Sequence, residues 1–249
     1  KIDDPIADYA ILPTFKLAEI ASKKFKVAIT GEGGDELFGG YGRYRRHNFL
    51  NKKFFKGAFR KYGKFKNNYW KFETNENFIE NLGLTKVQKY QFFDYYNWLP
   101  NNLLVKLDRC LMSYGMEGRT PLIDKKLFEN FFFVKDKYKI KNGFGKFLIR
   151  NFIKSRVKHY NAFSKKEGFT VPIEKWIPKH SKFFFEFLPK IEILRIFFNE
   201  NEIKDLCKSV SHNKKAIRGV WHMIFISAWY YVTFKNVKTN GNFFDIISN

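Results

Sequence analysis

A short run, Phe25-Lys26-Val27-Ala28-Ile29-Thr30, leads directly into a turn with three glycines in four positions, Gly31, Gly33 and Gly34. No other stretch limits the fold so tightly. A β-branched apolar run of this length bounded by glycine reads as a buried strand entering a loop. Helical character resumes over 35–47, so 30–34 is read as a strand-to-helix turn. Glycines there let backbone N–H groups come close to an anion, and the start of the next helix favours negative charge. Three carboxylates, Glu32, Asp35 and Glu36, share the turn. They would repel a phosphate unless a hard cation lies between, which points to Mg²⁺ bridging protein and phosphate oxygens. The other reading is a glycine-rich turn in which Asp35 or Glu36 caps the following helix. Gly39 and Gly40 fall where that helix is expected to run, at a cost of about 1 kcal/mol each relative to alanine.

Elsewhere the pattern is helical. Residues 5–24 carry apolar positions at helical spacing, with a break or start near Pro13. Amphipathic stretches follow at 85–98, 101–114, 125–133, 145–159, 182–198 and 214–234, separated by turn signals such as Leu99-Pro100-Asn101-Asn102 and Asn142-Gly143. The Lys-, Phe- and Asn-rich segment 49–78 reads as helix and loop, and as a basic insertion. One strand among many helices is an odd balance for a whole α/β domain, and further strands upstream would redress it.

Charge and cysteine usage narrow the classes. Lys and Arg total 46 against 24 Asp and Glu, a formal charge of +22, and the 31 Phe and 13 Tyr offer rings that could stack on bases. The basic residues are spread along the chain and not gathered on one face, so they do not argue for a nucleic-acid surface. Cys110 and Cys207 form no Cys-x-x-Cys pair, so neither a disulfide framework nor a zinc site is expected. No run of about 18 apolar residues is present, which makes a cytoplasmic protein without a membrane anchor the default. The chain opens on lysine and not methionine, so its natural start is expected upstream.

The string Thr30-Gly31-Glu32-Gly33-Gly34-Asp35-Glu36-Leu37-Phe38-Gly39-Gly40-Tyr41 resembles the second signature of glutamine-dependent asparagine synthetases. Asp4-Pro5-Ile6-Ala7-Asp8 resembles that family's lead-in. Leu103 to Arg109 with Met112 to Asp124 is similar to its next block, and Lys165-Lys166-Glu167-Gly168-Phe169-Thr170-Val171-Pro172 to the one after. The four blocks stand in the right order over about residues 1–180. The resemblance implies an α/β fold, a predominantly helical part of a pyrophosphate-loop ATPase (adenine-nucleotide-alpha-hydrolase-like) synthetase domain. Residues 1–249 would then be its C-terminal portion, with 181–249 a helical extension of unknown role.

The same resemblance implies a ligase that activates the side-chain carboxylate of aspartate with ATP and Mg²⁺ as an acyl-adenylate, for attack by ammonia drawn from glutamine. Carried over position by position, Thr30 and Gly31 would meet the adenosine, and Gly33 and Gly34 would bind the ATP with them. Glu32 would support adenylate formation, Asp35 would bind Mg²⁺, and Lys166 would neutralise the α-phosphate and the leaving pyrophosphate. Glu36, Asp108, Arg109, Glu117 and Arg119 either bind substrate or are structural, as in ion pairs beneath the site, the structural role being the preferred one for Arg119 and Asp124. The turn from Arg119 to Asp124 reads as a helix stop followed by a capped restart.

Two family parts are missing: the Ser-Gly-Gly-x-Asp-Ser pyrophosphate loop and the N-terminal nucleophilic cysteine of the glutaminase domain, for which neither Cys110 nor Cys207 can stand in. Residues 1–249 alone are therefore expected to be inactive, and to work with the glutaminase domain of the same chain, in a family that usually forms dimers. Gly118, Thr120 and Ile123 depart conservatively from the family pattern. The alternatives are an amidotransferase acting on another carboxylate, a non-catalytic relative, or a nucleic-acid-binding module.

Overall fold

The computed structural model describes residues 3, 5–45, 82–165, 168–169, 171–238 and 242–248. These form two compact units, one of residues 11–45 and 82–169, the other of residues 5–10 and 171–248. The segment 49–78 and Lys166 lie outside the described residues.

The first unit opens with α1 (Ile11–Ala21), Pro13 sitting in its first turn, where a missing N–H costs nothing. Strand β1 (Val27–Ile29) follows and pairs in parallel with β2 (Glu117–Arg119), Val27 opposite Glu117 and Ile29 opposite Arg119. The strand expected at 25–30 is thus present but is not buried. Ile29 is 79% exposed, because among the described residues only β2 pairs with it. The second strand went unread because Glu117-Gly118-Arg119 has neither alternation nor β-branched residues, and looks like a charged helix exit.

Helix α2 (Gly34–Phe38) is far shorter than the helix expected over 35–47. Gly39 takes φ 73°, and its N–H closes on Asp35 O, ending the helix. The two glycines read as a cost inside a helix are its terminator. A 3₁₀ turn (Gly42–Arg45) follows. Helix α3 (Lys86–Phe93) starts with a capping box between Thr85 and Gln88, and continues into a π-helical stretch (Asp94–Leu104) that accommodates Pro100. Helix α4 (Val105–Met112) comes next and brings Leu107 and Leu111 against Ala18 of α1 and Met116, with Ala28 of β1 at the edge of this core.

After β2, Asp124 caps α5 (Lys125–Phe131), accepting from Leu127 N at 3.0 Å, the capped restart expected from the sequence. A short α6 (Asp136–Lys139) precedes the turn at Asn142-Gly143, where both residues have positive φ, and α7 (Phe147–Arg156) closes this unit's run of helices.

The second unit is helical: α8 (Ile173–Lys179), α9 (Ser181–Phe187), α10 (Glu192–Phe197), α11 (Glu200–Lys208), α12 (Lys214–Thr233) and α13 (Phe243–Ser248). Its core gathers Leu188, Ile191, Leu194, Ile203, Leu206 and Val220 with the rings of Phe184, Phe198 and Trp221. The stretch 182–198 is not one helix, because Pro189 diverts it through a 3₁₀ turn. Two tryptophans of α12 hold the beginning of the chain, Trp221 Nε1 donating to Ala7 O at 2.8 Å and Trp229 Nε1 to Asp3 O at 2.6 Å. No helix among the described residues is long and apolar enough to cross a membrane.

Candidate functional site

Parallel strands point their carboxyl ends the same way, and ligands of open α/β sheets bind beyond those ends. Here the glycine-rich turn leaves β1 and residues 120–124 leave β2, so both loops rise on one side. The loops interlock. Thr30 N donates to Arg119 O at 2.8 Å. A Cβ at Gly33, whose φ is 87°, would overlap Ile123, and one at Gly34 would come within 2.8 Å of Leu122 Cδ1. These two glycines are therefore required by packing, and the Gly34 amide already donates to Gly31 O. Gly31 faces open space, with nothing within 4 Å of a Cβ position. Beside it, Thr30 Oγ1 is buried without a hydrogen-bond partner among the described residues, and a buried orphan hydroxyl is a place where a ligand's polar atom fits.

The three carboxylates of the turn have separate surroundings. Glu32, partly open to solvent, has Lys106 Nζ 3.8 Å from its Oε1. Asp35 is paired with Lys146, Nζ to Oδ1 3.1 Å, and Gly40 packs so closely on its carboxylate that a Cβ there would overlap it. Glu36 points inward, accepting from Tyr41 Oη at 2.5 Å. Burial, with smaller contributions from Asp35 and Asp94, raises the Glu36 carboxyl to about 7, while the Tyr41 hydrogen bond opposes the rise. The backbone here is held as well: Gln91 Nε2 donates to the carbonyls of Glu36 and Leu37, and Lys139 Nζ reaches Gln91 Oε1 at 2.9 Å. Beyond it, Asp94 takes Arg43 Nη2 at 2.7 Å and Tyr44 Oη at 2.5 Å.

Asp108 and Arg109 face each other in the open at 3.8 Å, and Glu117 and Arg119 likewise at 2.9 Å. The Arg119 backbone, not its side chain, shapes the turn, through its carbonyl.

Two cations that the sequence did not single out stand on the turn. Lys106 looked like one more lysine of a mixed helix, although its helical neighbours Leu107, Cys110 and Leu111 are all core residues, a pattern that marks a buried face. Lys146 follows Gly145, whose Cα lies against Gly39 O with no room for a side chain. That close approach, which brings Lys146 to Asp35, is a tertiary fact. A cleft of about 570 Å³ opens beside Gly40, Tyr41 and Gly145, with Arg45, Arg150 and Lys165 on its walls. Arg150 joins the Gly145 carbonyl (3.0 Å) to the carbonyls of Ala162 and Ser164, tying down the chain that leads to Lys165.

Magnesium takes one or two carboxylates together with phosphate oxygens and water. Asp35 fits as one such ligand, whereas no cluster of three His, Cys, Asp or Glu able to hold a metal stands among the described residues. The elements describe an α/β protein, mostly helical, whose glycine-rich turn and its paired carboxylates lie at the carboxyl ends of a small parallel sheet. The chain belongs to the asparagine synthase family, whose model matches residues 1–231. It is 29% identical over 224 residues to asparagine synthetase [glutamine-hydrolyzing] 1 of Bacillus subtilis, covering 70% of this chain and 35% of that protein. A putative asparagine synthetase [glutamine-hydrolyzing] of Mycobacterium tuberculosis is 26% identical over 223 residues, 71% of this chain and 34% of the relative. One of Methanocaldococcus jannaschii is 51% identical over 39 residues, 16% of this chain and 8% of that protein. The chain spans about a third of the length of the first two. No solved structure matches.

Proposed function

We propose that this chain carries part of the ATP-dependent site at which a ligase converts aspartate to asparagine. What carries the reading is the turn after β1, in which Glu32 and Asp35 are each faced by a lysine, in a chain of the asparagine synthase family. ATP and aspartate are the substrates. An aspartate side-chain oxygen attacks the α-phosphorus, the bond to the β-phosphate breaks, and pyrophosphate leaves. Ammonia then attacks the acyl carbon, giving the amide, AMP and a proton. In the whole protein the ammonia comes from glutamine, released by a glutaminase domain.

Thr30, with its buried hydroxyl, and Gly31, with open space above it, receive the nucleotide. The Glu32 carboxylate stands beside the reacting acyl phosphate. Mg²⁺, when bound, supplies charge neutralisation at the phosphates, with Asp35 as the chain's ligand. Lys146 balances the Asp35 charge, and on nucleotide binding its ammonium can turn to phosphate oxygens. Lys166 neutralises the leaving pyrophosphate. The synthetase domain is of the pyrophosphate-loop ATPase type.

The test is AMP release by the natural protein that carries residues 1–249, with ammonia and a panel of carboxylates. Release with aspartate, abolished in Lys166→Ala while glutamine hydrolysis persists, supports the reading. Release only with a different carboxylate makes the protein an amidotransferase of that acid, and release with none refutes the ligase.

A further inference from the structure

We infer that Lys106 is the residue that aims the Glu32 carboxylate, a positioning residue of the ligase site proposed above, on which reading this inference rests. Lys106 is on the first turn of α4 and is 4% exposed. An ammonium so deeply buried is costly unless negative charge or polar groups meet it. The carboxylate that meets it is Glu32, at 3.8 Å.

The two partners are held very differently. Helix α4 is fixed, with Leu107 and Leu111 in the core and Leu111 so close to Gly118 that a Cβ there would stand 2.7 Å from its Cδ1. Glu32 follows Gly31, whose surroundings are open, and its side chain is a quarter exposed. A glutamate side chain has several rotamers, and holding a reacting group in one of them is worth orders of magnitude in rate. The rigid element therefore supplies the fixed charge and the turn supplies the group that must be aimed. At 3.8 Å the pair acts through charge and not through a short hydrogen bond.

Lys106 makes other contacts as well, so a purely structural role has to be separated from a positioning one. A double-mutant cycle does this, because a structural loss is the same with or without Glu32, whereas a positioning loss vanishes when there is nothing to aim. Aspartate-dependent exchange of labelled pyrophosphate into ATP is measured with enzyme in excess, in the natural protein that carries residues 1–249. The parent is compared with Lys106→Met, Lys106→Arg, Glu32→Gln and the double variants, each with its thermal midpoint recorded. Lys106→Met is expected to lower the exchange rate roughly 10–100-fold with the ATP KM changed less than about twofold, and Lys106→Arg to recover most of it. In the Glu32→Gln background the Lys106→Met loss is expected to shrink below about threefold. Equal losses in both backgrounds overturn the inference and leave the ligase reading standing. If Lys106→Met does not fold, the cycle is read with Lys106→Gln, which also removes the charge, and a loss in that variant that is equal in both backgrounds overturns the inference in the same way. A parent without aspartate-dependent exchange overturns the ligase reading and this inference with it.

Discussion

Lys146 reaches Asp35 from the turn before α7, and its ammonium stands 3.1 Å from Asp35 Oδ1 with both side chains mostly buried. Lys146 itself has φ 55°, a left-handed conformation uncommon outside glycine. This pairing accounts for a carboxylate that otherwise would sit next to Glu36 and Glu32 in one short turn. Lys146→Met is expected to destabilise the fold by about 1–2 kcal/mol, between the values for exposed and buried pairs, and to raise the ATP KM in the natural protein. Urea unfolding and steady-state kinetics check the two effects.

Gly33 and Gly115 both have positive φ, 87° and 64°, but only Gly33 is packed against another loop. Gly115→Ala should therefore cost only the left-handed strain, about 1–2 kcal/mol. Gly33→Ala should cost that and a further 1–3 kcal/mol or so from the collision with Ile123. Chemical denaturation of the two variants side by side measures the difference.

Asp94 is 2% exposed and held by Arg43 and Tyr44. Burial raises its carboxyl, and Arg43 and Tyr44 oppose the rise. Arg43→Ala leaves that charge buried without its cation, with an expected loss of about 3–5 kcal/mol, more than Tyr44→Phe, which removes one hydroxyl donor and costs about 1–3 kcal/mol. Thermal unfolding of both variants checks the order.

His222, on α12, is lowered to about 4 by burial and by Arg218. Between about pH 4 and the ordinary value of 6.5, the unfolded chain takes up a proton there that the folded chain refuses. Stability should therefore rise with pH across that window, by up to about 3 kcal/mol from this residue, and be lost as pH falls through it. His222→Gln should flatten the profile of unfolding free energy between pH 4 and 6.5.

The turn after β1 was legible because glycine and charge are dense there, and the chemistry assigned to it needed only adjacent residues. Its supporting groups were not. Lys106 and Lys146 stand across the fold from the turn, and in a chain with 46 lysines and arginines only the core neighbours of Lys106 hinted at one of them, while nothing local marked Lys146. Several helices, such as α7 and α12, were readable from period, and the cap at Asp124 from its turn residues, whereas α8 and α11 went unread and the turn expected at 99–102 lies inside the π-helical stretch. β2 was missed because three charged or small residues form a strand only when β1 lies beside them. The length of α2 was misjudged because Gly39 was read as a helix residue under strain, when its left-handed φ is what ends the helix.

The most direct test of the account is aspartate-dependent exchange of labelled pyrophosphate into ATP by the natural protein, since it isolates the step assigned to the turn from the supply of ammonia. The account predicts exchange that needs aspartate and Mg²⁺, and that falls at least about 100-fold in Glu32→Gln, to a residual rate still read with enzyme in excess. Exchange that is absent, that proceeds without aspartate, or that falls by less than this on loss of the Glu32 carboxylate would contradict it.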